Sequence, residues 1–212
     1  MTIQQPNTIT YTAYEVGEAP KGDLHAHVLE GLTRGRIFKI DIDVGHDRTA
    51  GFATYEDPLD VDFTADKVFF GTLVLFSFRM DKIAVPASTL KLYTRQRIRQ
   101  NLEATRRDKM PRAERDELSE VVKTDMMKRA IPTISTFPVL WDVASGRLRL
   151  MTTSAIACDD FVARFRDTVG IELRSKNTVG VLEAGLDEKE LDQAMHLLPT
   201  TFLAGGDAPE ED

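Results

Sequence analysis

Val68-Phe69-Phe70-Gly71-Thr72-Leu73-Val74-Leu75-Phe76-Ser77-Phe78 is an almost unbroken apolar run. It is too short for a membrane span, which needs ~18 or more apolar residues. It is rich in β-favouring types, so it predicts a central strand, with Gly71 placed for a bulge. Two shorter alternating stretches lie upstream. Ile9 to Val16 alternates apolar and polar residues and reads as a strand. Arg36 to Val44 sets Phe38, Ile40, Ile42 and Val44 on one face against Lys39, Asp41 and Asp43 on the other. That is the pattern of an antiparallel strand with one wet face. Between them, Leu24, Val28 and Leu32 recur at helical spacing, with Asp23 as N-cap and Gly35 as terminator.

Downstream of the central run the period changes to that of helices. Pro86 opens a segment with a seam at Leu90, Thr94, Ile98 and Leu102. Pro111 opens a second, with Leu118, Val121, Val122 and Met126. Asp108 to Pro111 is the elbow of this helical hairpin. Residues 134–143 and 147–153 predict a β-hairpin around Ser145-Gly146. A helix over 159–169 then places Phe161 and Phe165 one turn apart, and a last helix is expected over 187–198. Strands and helices mix without steady βαβ alternation, which predicts an α+β fold with an antiparallel sheet and a basic helical hairpin. The expected regions are an α+β part over 1–84, the hairpin over 85–130, a β-hairpin with helices over 131–203, and a disordered acidic tail over 204–212.

Composition bounds the function. The 212 residues carry 27 Lys+Arg and 34 Asp+Glu, a net charge of −7, with 42% apolar residues. That apolar share excludes a disordered chain. The one cysteine, Cys158, excludes an internal disulfide and a Cys-rich zinc site. Met1 to Thr10 has neither a basic n-region nor an apolar h-region, so a cytoplasmic protein is expected.

The charge is unevenly placed. Residues 41–66 hold eight acids and only Arg48, giving −7; residues 183–212 hold nine acids and Lys189, giving −8. Residues 91–115 run the other way. Lys91, Arg95, Arg97, Arg99, Arg106, Arg107, Lys109, Arg112 and Arg115 face only Glu103, Asp108 and Glu114, giving +6. The local field, not the net charge, decides whether a phosphate backbone is attracted. Arg95, Arg99 and Arg106, spaced by four and seven, can share one side of a helix beside the apolar seam. Guanidinium groups make charge-assisted, often bidentate contacts with phosphate. These nine bases are the candidate DNA contacts, made to the backbone without base readout. A solvated Arg-rich helix face is the plain alternative.

The case for catalysis is thin. His25 and His27 are two apart on a helix, about 200° around it, and cannot easily share an ion. Asp41, Asp43, His46 and Asp47 could form a carboxylate metal site of nuclease type, yet alternation on a wet sheet face accounts for the first two equally. No phosphate-loop, dinucleotide-binding or nucleophile-elbow motif is present. Trp141 and Cys158 read as core residues. No catalytic residue, metal or cofactor is assigned, and a non-enzymatic role is expected.

Val85-Pro86-Ala87-Ser88-Thr89-Leu90, the basic helix after it, Met110-Pro111-Arg112-Ala113-Glu114-Arg115-Asp116-Glu117-Leu118 and the following β-hairpin resemble the middle of the bacterial recombination-associated protein family RdgC. Ala50-Gly51-Phe52-Ala53 with Asp57-Pro58-Leu59 is similar to an upstream segment of that family, although Phe52 stands where Trp is usual. The resemblance spans about residues 9–172. It implies a non-enzymatic, nucleoid-associated protein that binds double-stranded DNA with little sequence preference. It also implies a ring-forming homodimer that restrains RecA-driven recombination. This chain is shorter than typical members and its second helix less basic, which bears on ring closure. Two other readings stand beside this one: a protein–protein or homodimerisation module without DNA binding, and a metal-dependent nuclease using Asp41 and Asp43.

Overall fold

A computed structural model describes residues 10–18 and 22–175. The expected helix over 187–198 and the acidic tail lie outside the described residues. The described residues up to Arg174 form one compact unit. The elements run β1 (Thr12–Val16), α1 (Leu24–Arg34), β2 (Arg48–Ala53), α2 (Ala65–Val68), β3 (Phe69–Phe70), β4 (Leu73–Lys82), α3 (Ala87–Thr105), α4 (Arg112–Arg129), β5 (Thr133–Asp142), β6 (Arg147–Leu150), α5 (Ala155–Val169) and β7 (Leu173–Ser175).

The fold is α+β, built on a seven-stranded sheet in the order β2-β4-β5-β6-β1-β7, with β3 paired to β4. The β1–β6, β2–β4, β3–β4, β4–β5 and β5–β6 pairings are antiparallel. Register follows the period of two. Phe52 lies opposite Phe78, Phe76 opposite Val139, and Trp141 opposite Leu148, all on one face. Onto that face pack Val28 and Leu32 of α1 and Phe161, Phe165 and Val169 of α5. Phe52 is in ring contact with Phe76, Phe78, Phe161 and Phe165, all with centroids 5.3–6.4 Å away. This aromatic knot is the centre of the core. Trp141 takes the core position that the sequence predicts for it, and Phe161 and Phe165, one turn apart on α5, are fully buried beside it.

The helices also begin and end on predicted signals. Asp23 caps α1, its carboxylate accepting from the N–H groups of His25 at 3.0 Å and Ala26 at 3.3 Å. Gly170 ends α5 in the left-handed conformation, φ 75°.

Two expectations for the first half are overturned. The apolar run is not one strand from Val68. Val68 ends α2, and Gly71, at φ 64°, turns the chain between β3 and β4, so it is a hairpin turn rather than a bulge. Residues 36–44 do not form a strand. Only Arg36 bridges Phe52, and the Ile37 N–H donates to the Phe52 carbonyl at 2.9 Å. The chain then turns away. The Asp41 carboxylate accepts the Val44 N–H at 3.3 Å, and Gly45 N–H donates to Ile42. A short polar side chain here satisfies backbone locally and competes with the sheet ladder. Phe38 and Val44, expected on a core face, are 55% and 69% exposed.

The strand beside β4 is instead β2. Its glycine explains the edge: a Cβ on Gly51 would sit 2.5 Å from the Ile37 Cα, so only glycine lets the 35–37 segment lie this close. The acidic loop after β2 is fastened to the opposite face of the sheet. Arg79 donates to both carboxylate oxygens of Asp81 at 2.7 and 2.6 Å and to the Pro58 carbonyl at 3.0 Å. Lys67 pairs with Asp60 at 2.8 Å.

Candidate nucleic-acid interface

α3 and α4 form the predicted hairpin and pack chiefly on each other. No residue of α3 is buried; in α4 only Val122 and Met127 are. Val121, expected in the seam, is 52% exposed, because Met127 rather than Val121 turns inward. Nineteen residues make α3 about 28 Å long. Such a pair is an arm: it buries little, and so most of its side chains face solvent. α4 is also tied at its far end, where Lys128 meets Asp43 at 2.6 Å. That contact raises the Lys128 pKa, chiefly through the hydrogen bond.

All nine candidate bases are on this arm and all are exposed. They do not form one face. Lys91, Arg95 and Arg99 are spaced by four and line one ridge of α3. Arg97 is about 200° from Arg95 around the helix and faces the other flank. Arg106 is not on the ridge, as its spacing suggests, because the helix stops at Thr105. Arg106 caps it in the left-handed conformation, φ 50°. Arg106, Arg107 and Lys109 therefore belong to the elbow, and Arg112 and Arg115 to the start of α4.

Two of the nine are already paired. Arg107 donates to both oxygens of Glu114 at 3.0 and 3.1 Å, which holds the elbow against the first turn of α4 and raises the Arg107 pKa. Arg112 lies 3.7 Å from Asp116. For the other seven, no carboxylate among the described residues lies within 4.0 Å. The positive field thus comes from the α3 ridge, Arg97 and the elbow. α4 itself carries five bases and five acids and adds none.

Three arginines outside the predicted stretch join this picture. Arg129 ends α4 and lines a groove of about 440 Å³ together with Arg97. Arg147 and Arg149 alternate with Leu148 and Leu150 on β6 and point from the sheet face opposite the core, with Arg149 over the exposed Tyr11 ring at 5.7 Å. The Arg-Leu-Arg-Leu alternation was the signal for the last two. For Arg129 the sequence offers none, since its partner is 32 residues away.

The candidate nuclease residues lose their premise. Asp41 and Asp43 share no strand face: Asp41 caps a turn and Asp43 holds Lys128. Among the described residues, no three of His, Cys, Asp and Glu lie close enough to hold a metal ion. His27 approaches the Val169 carbonyl at 2.6 Å, and His25 sits edge-on to Phe69.

An antiparallel α+β scaffold that carries a projecting basic helical arm is a protein built to present charge. The family model described as "Putative exonuclease, RdgC" matches residues 63–184, more than half of the chain and the whole of the arm. The chain belongs to the RdgC family. Membership places it, at the level of the family, among recombination-associated DNA-binding proteins. No curated protein matches it. Among the described residues, no helix is long and apolar enough to cross a membrane.

Proposed function

We propose that this protein binds double-stranded DNA through its arm without sequence preference and modulates recombination without catalysing a reaction. It acts as a nucleoid-associated cytoplasmic homodimer that restrains strand exchange of the RecA kind. The observation that carries the reading is electrostatic. In a chain of net charge −7, seven exposed bases with no carboxylate within 4.0 Å among the described residues project on one arm. Acidic protein elsewhere repels the phosphate backbone and leaves the arm as the place of approach. Guanidinium groups on a helix ridge meet phosphates and read no bases.

The test is a gel-shift titration of a duplex with the wild type and with Lys91→Glu/Arg95→Glu/Arg99→Glu. The variant should lose binding while its melting temperature is unchanged, because none of the three side chains is buried. Unaltered affinity would refute the assignment. The non-enzymatic part is tested separately, by incubating end-labelled DNA with Mg²⁺ or Mn²⁺. Release of nucleotides, as the family description would suggest, overturns it.

One observation favours a second reading, a protein–protein module. Leu92 and Val121 are 64% and 52% exposed on the arm, and Ile131 at its base is 92% exposed. Apolar surface beside charge suits contact with a second copy. Both readings allow dimers, so the duplex gel shift separates the two, with light scattering without nucleic acid reporting the oligomeric state. Dimers that persist at high salt together with no DNA shift would favour the module.

A further inference from the structure

We infer that the groove between α3 and α4 receives one unpaired nucleotide of the bound DNA, a deepening that rests on the DNA-binding reading above. The groove is bounded by Tyr93 and Arg97 on α3 and by Val122, Met126 and Arg129 on α4, and encloses about 440 Å³. That lies within the ~300–1,000 Å³ of sites that hold small organic ligands.

Its chemistry is mixed in a way that suits a nucleotide. Arg97 and Arg129 approach from opposite helices, and neither has a carboxylate within 4.0 Å among the described residues. Two guanidiniums converging on one recess form a clamp for a single phosphodiester. Val122 and Met126 give an apolar floor. The Tyr93 ring, 55% exposed, stands at the rim, where a base can stack on it. Asp125 also lines the groove, so two bases and one acid leave it with one positive charge. Its carboxylate can accept from an exocyclic amine, as carried by cytosine, adenine and guanine.

Pairing state follows from shape. A base inside a duplex is stacked and cannot reach a side-chain wall, whereas an unpaired base can splay onto an aromatic ring. The ridge of Lys91, Arg95 and Arg99 lies on the other flank of α3. Duplex phosphates and an unpaired nucleotide would therefore be held by different residues of the same helix.

The experiment measures fluorescence anisotropy of the full chain with two probes matched in phosphate number: a blunt duplex, and a duplex carrying a short single-stranded tail. The wild type should bind the tailed probe about tenfold more tightly, the scale of one base stacked on an aromatic side chain. Tyr93→Ala should abolish that preference and leave blunt-duplex affinity within about twofold, whereas Arg97→Gln/Arg129→Gln, which also removes charge that attracts duplex, should weaken the tailed probe more than the blunt one. A wild type that binds both probes equally overturns the inference alone. So do variants that weaken both probes to the same extent. A wild type that binds neither probe overturns the DNA-binding reading as well. Since α3 buries none of its residues, circular dichroism should report the Tyr93 and Arg97 variants as folded.

Discussion

Neutralising Lys91, Arg95 and Arg99 to glutamine should change the salt dependence of DNA binding by a definite amount. Each base that displaces a condensed counterion from duplex DNA contributes ~0.9 to the slope of log affinity against log salt. The three ridge residues lie on one side of α3, spread over about 12 Å of its axis, and none has a carboxylate within 4.0 Å among the described residues. All three can therefore act, and their removal should flatten the slope by ~2.7. Between 50 and 200 mM salt the wild type should lose about fortyfold more affinity than the variant, a consequence of that slope over a fourfold range. The assay is anisotropy with one duplex at several salt concentrations. Neutralising Arg107 and Arg112 serves as the internal control. These two already meet Glu114 and Asp116, so they should change the slope by less than one phosphate contact. The reasoning fails if the ridge variant keeps the wild-type slope, or if the paired arginines matter as much as the unpaired ones.

Two further outcomes test the scaffold. Phe52→Ala removes the ring at the centre of the aromatic knot, and should destabilise the protein by about 3–5 kcal/mol and lower its melting temperature by roughly 10 °C. A shift below about 3 °C in thermal denaturation would show that the core recloses around the gap. The turn at Asp142 should be acid-sensitive. Its carboxylate accepts from the Ser145 hydroxyl at 2.7 Å, which holds its pKa below 3.8. A depressed carboxylate contributes stability that is present above its unfolded pKa and lost as pH falls through the folded one. Asp142→Asn should therefore narrow the difference between melts at pH 6 and at pH 3, and an unchanged difference would discount the turn.

Local signals in the sequence were sufficient wherever the interaction is itself local. Asp23 capping α1, Gly170 ending α5, Pro86 and Pro111 opening the arm, and the Ser145-Gly146 turn all act within a few residues, so spacing reveals them. The α+β class followed from the order of the elements, and the placement of Phe161 and Phe165 one turn apart on a helix from its spacing. The strand at 36–44 failed because alternation is necessary for a strand and not sufficient. A strand needs a partner edge, and β2 offers one only as far as Ile37, where Gly51 allows close approach. β2 itself, Arg48 to Ala53, is half glycine and alanine and shows little pattern of its own; β4 makes it a strand.

The site divides in the same way. That positive charge concentrates between residues 91 and 115 is written in the sequence, since composition needs no coordinates. Which of those charges are free depends on folded distances: helical spacing already pairs Arg112 with Asp116, whereas Arg107 meets Glu114 only because the elbow folds back on α4. Glu114 and Asp116 silence two, the end of α3 at Thr105 takes Arg106 off the ridge, and the crossing of α3 with α4 sets Arg97 opposite Arg129. Side chains along one helix are placed by the 3.6-residue period. Side chains on two helices are placed by packing, and no one-dimensional spacing encodes that.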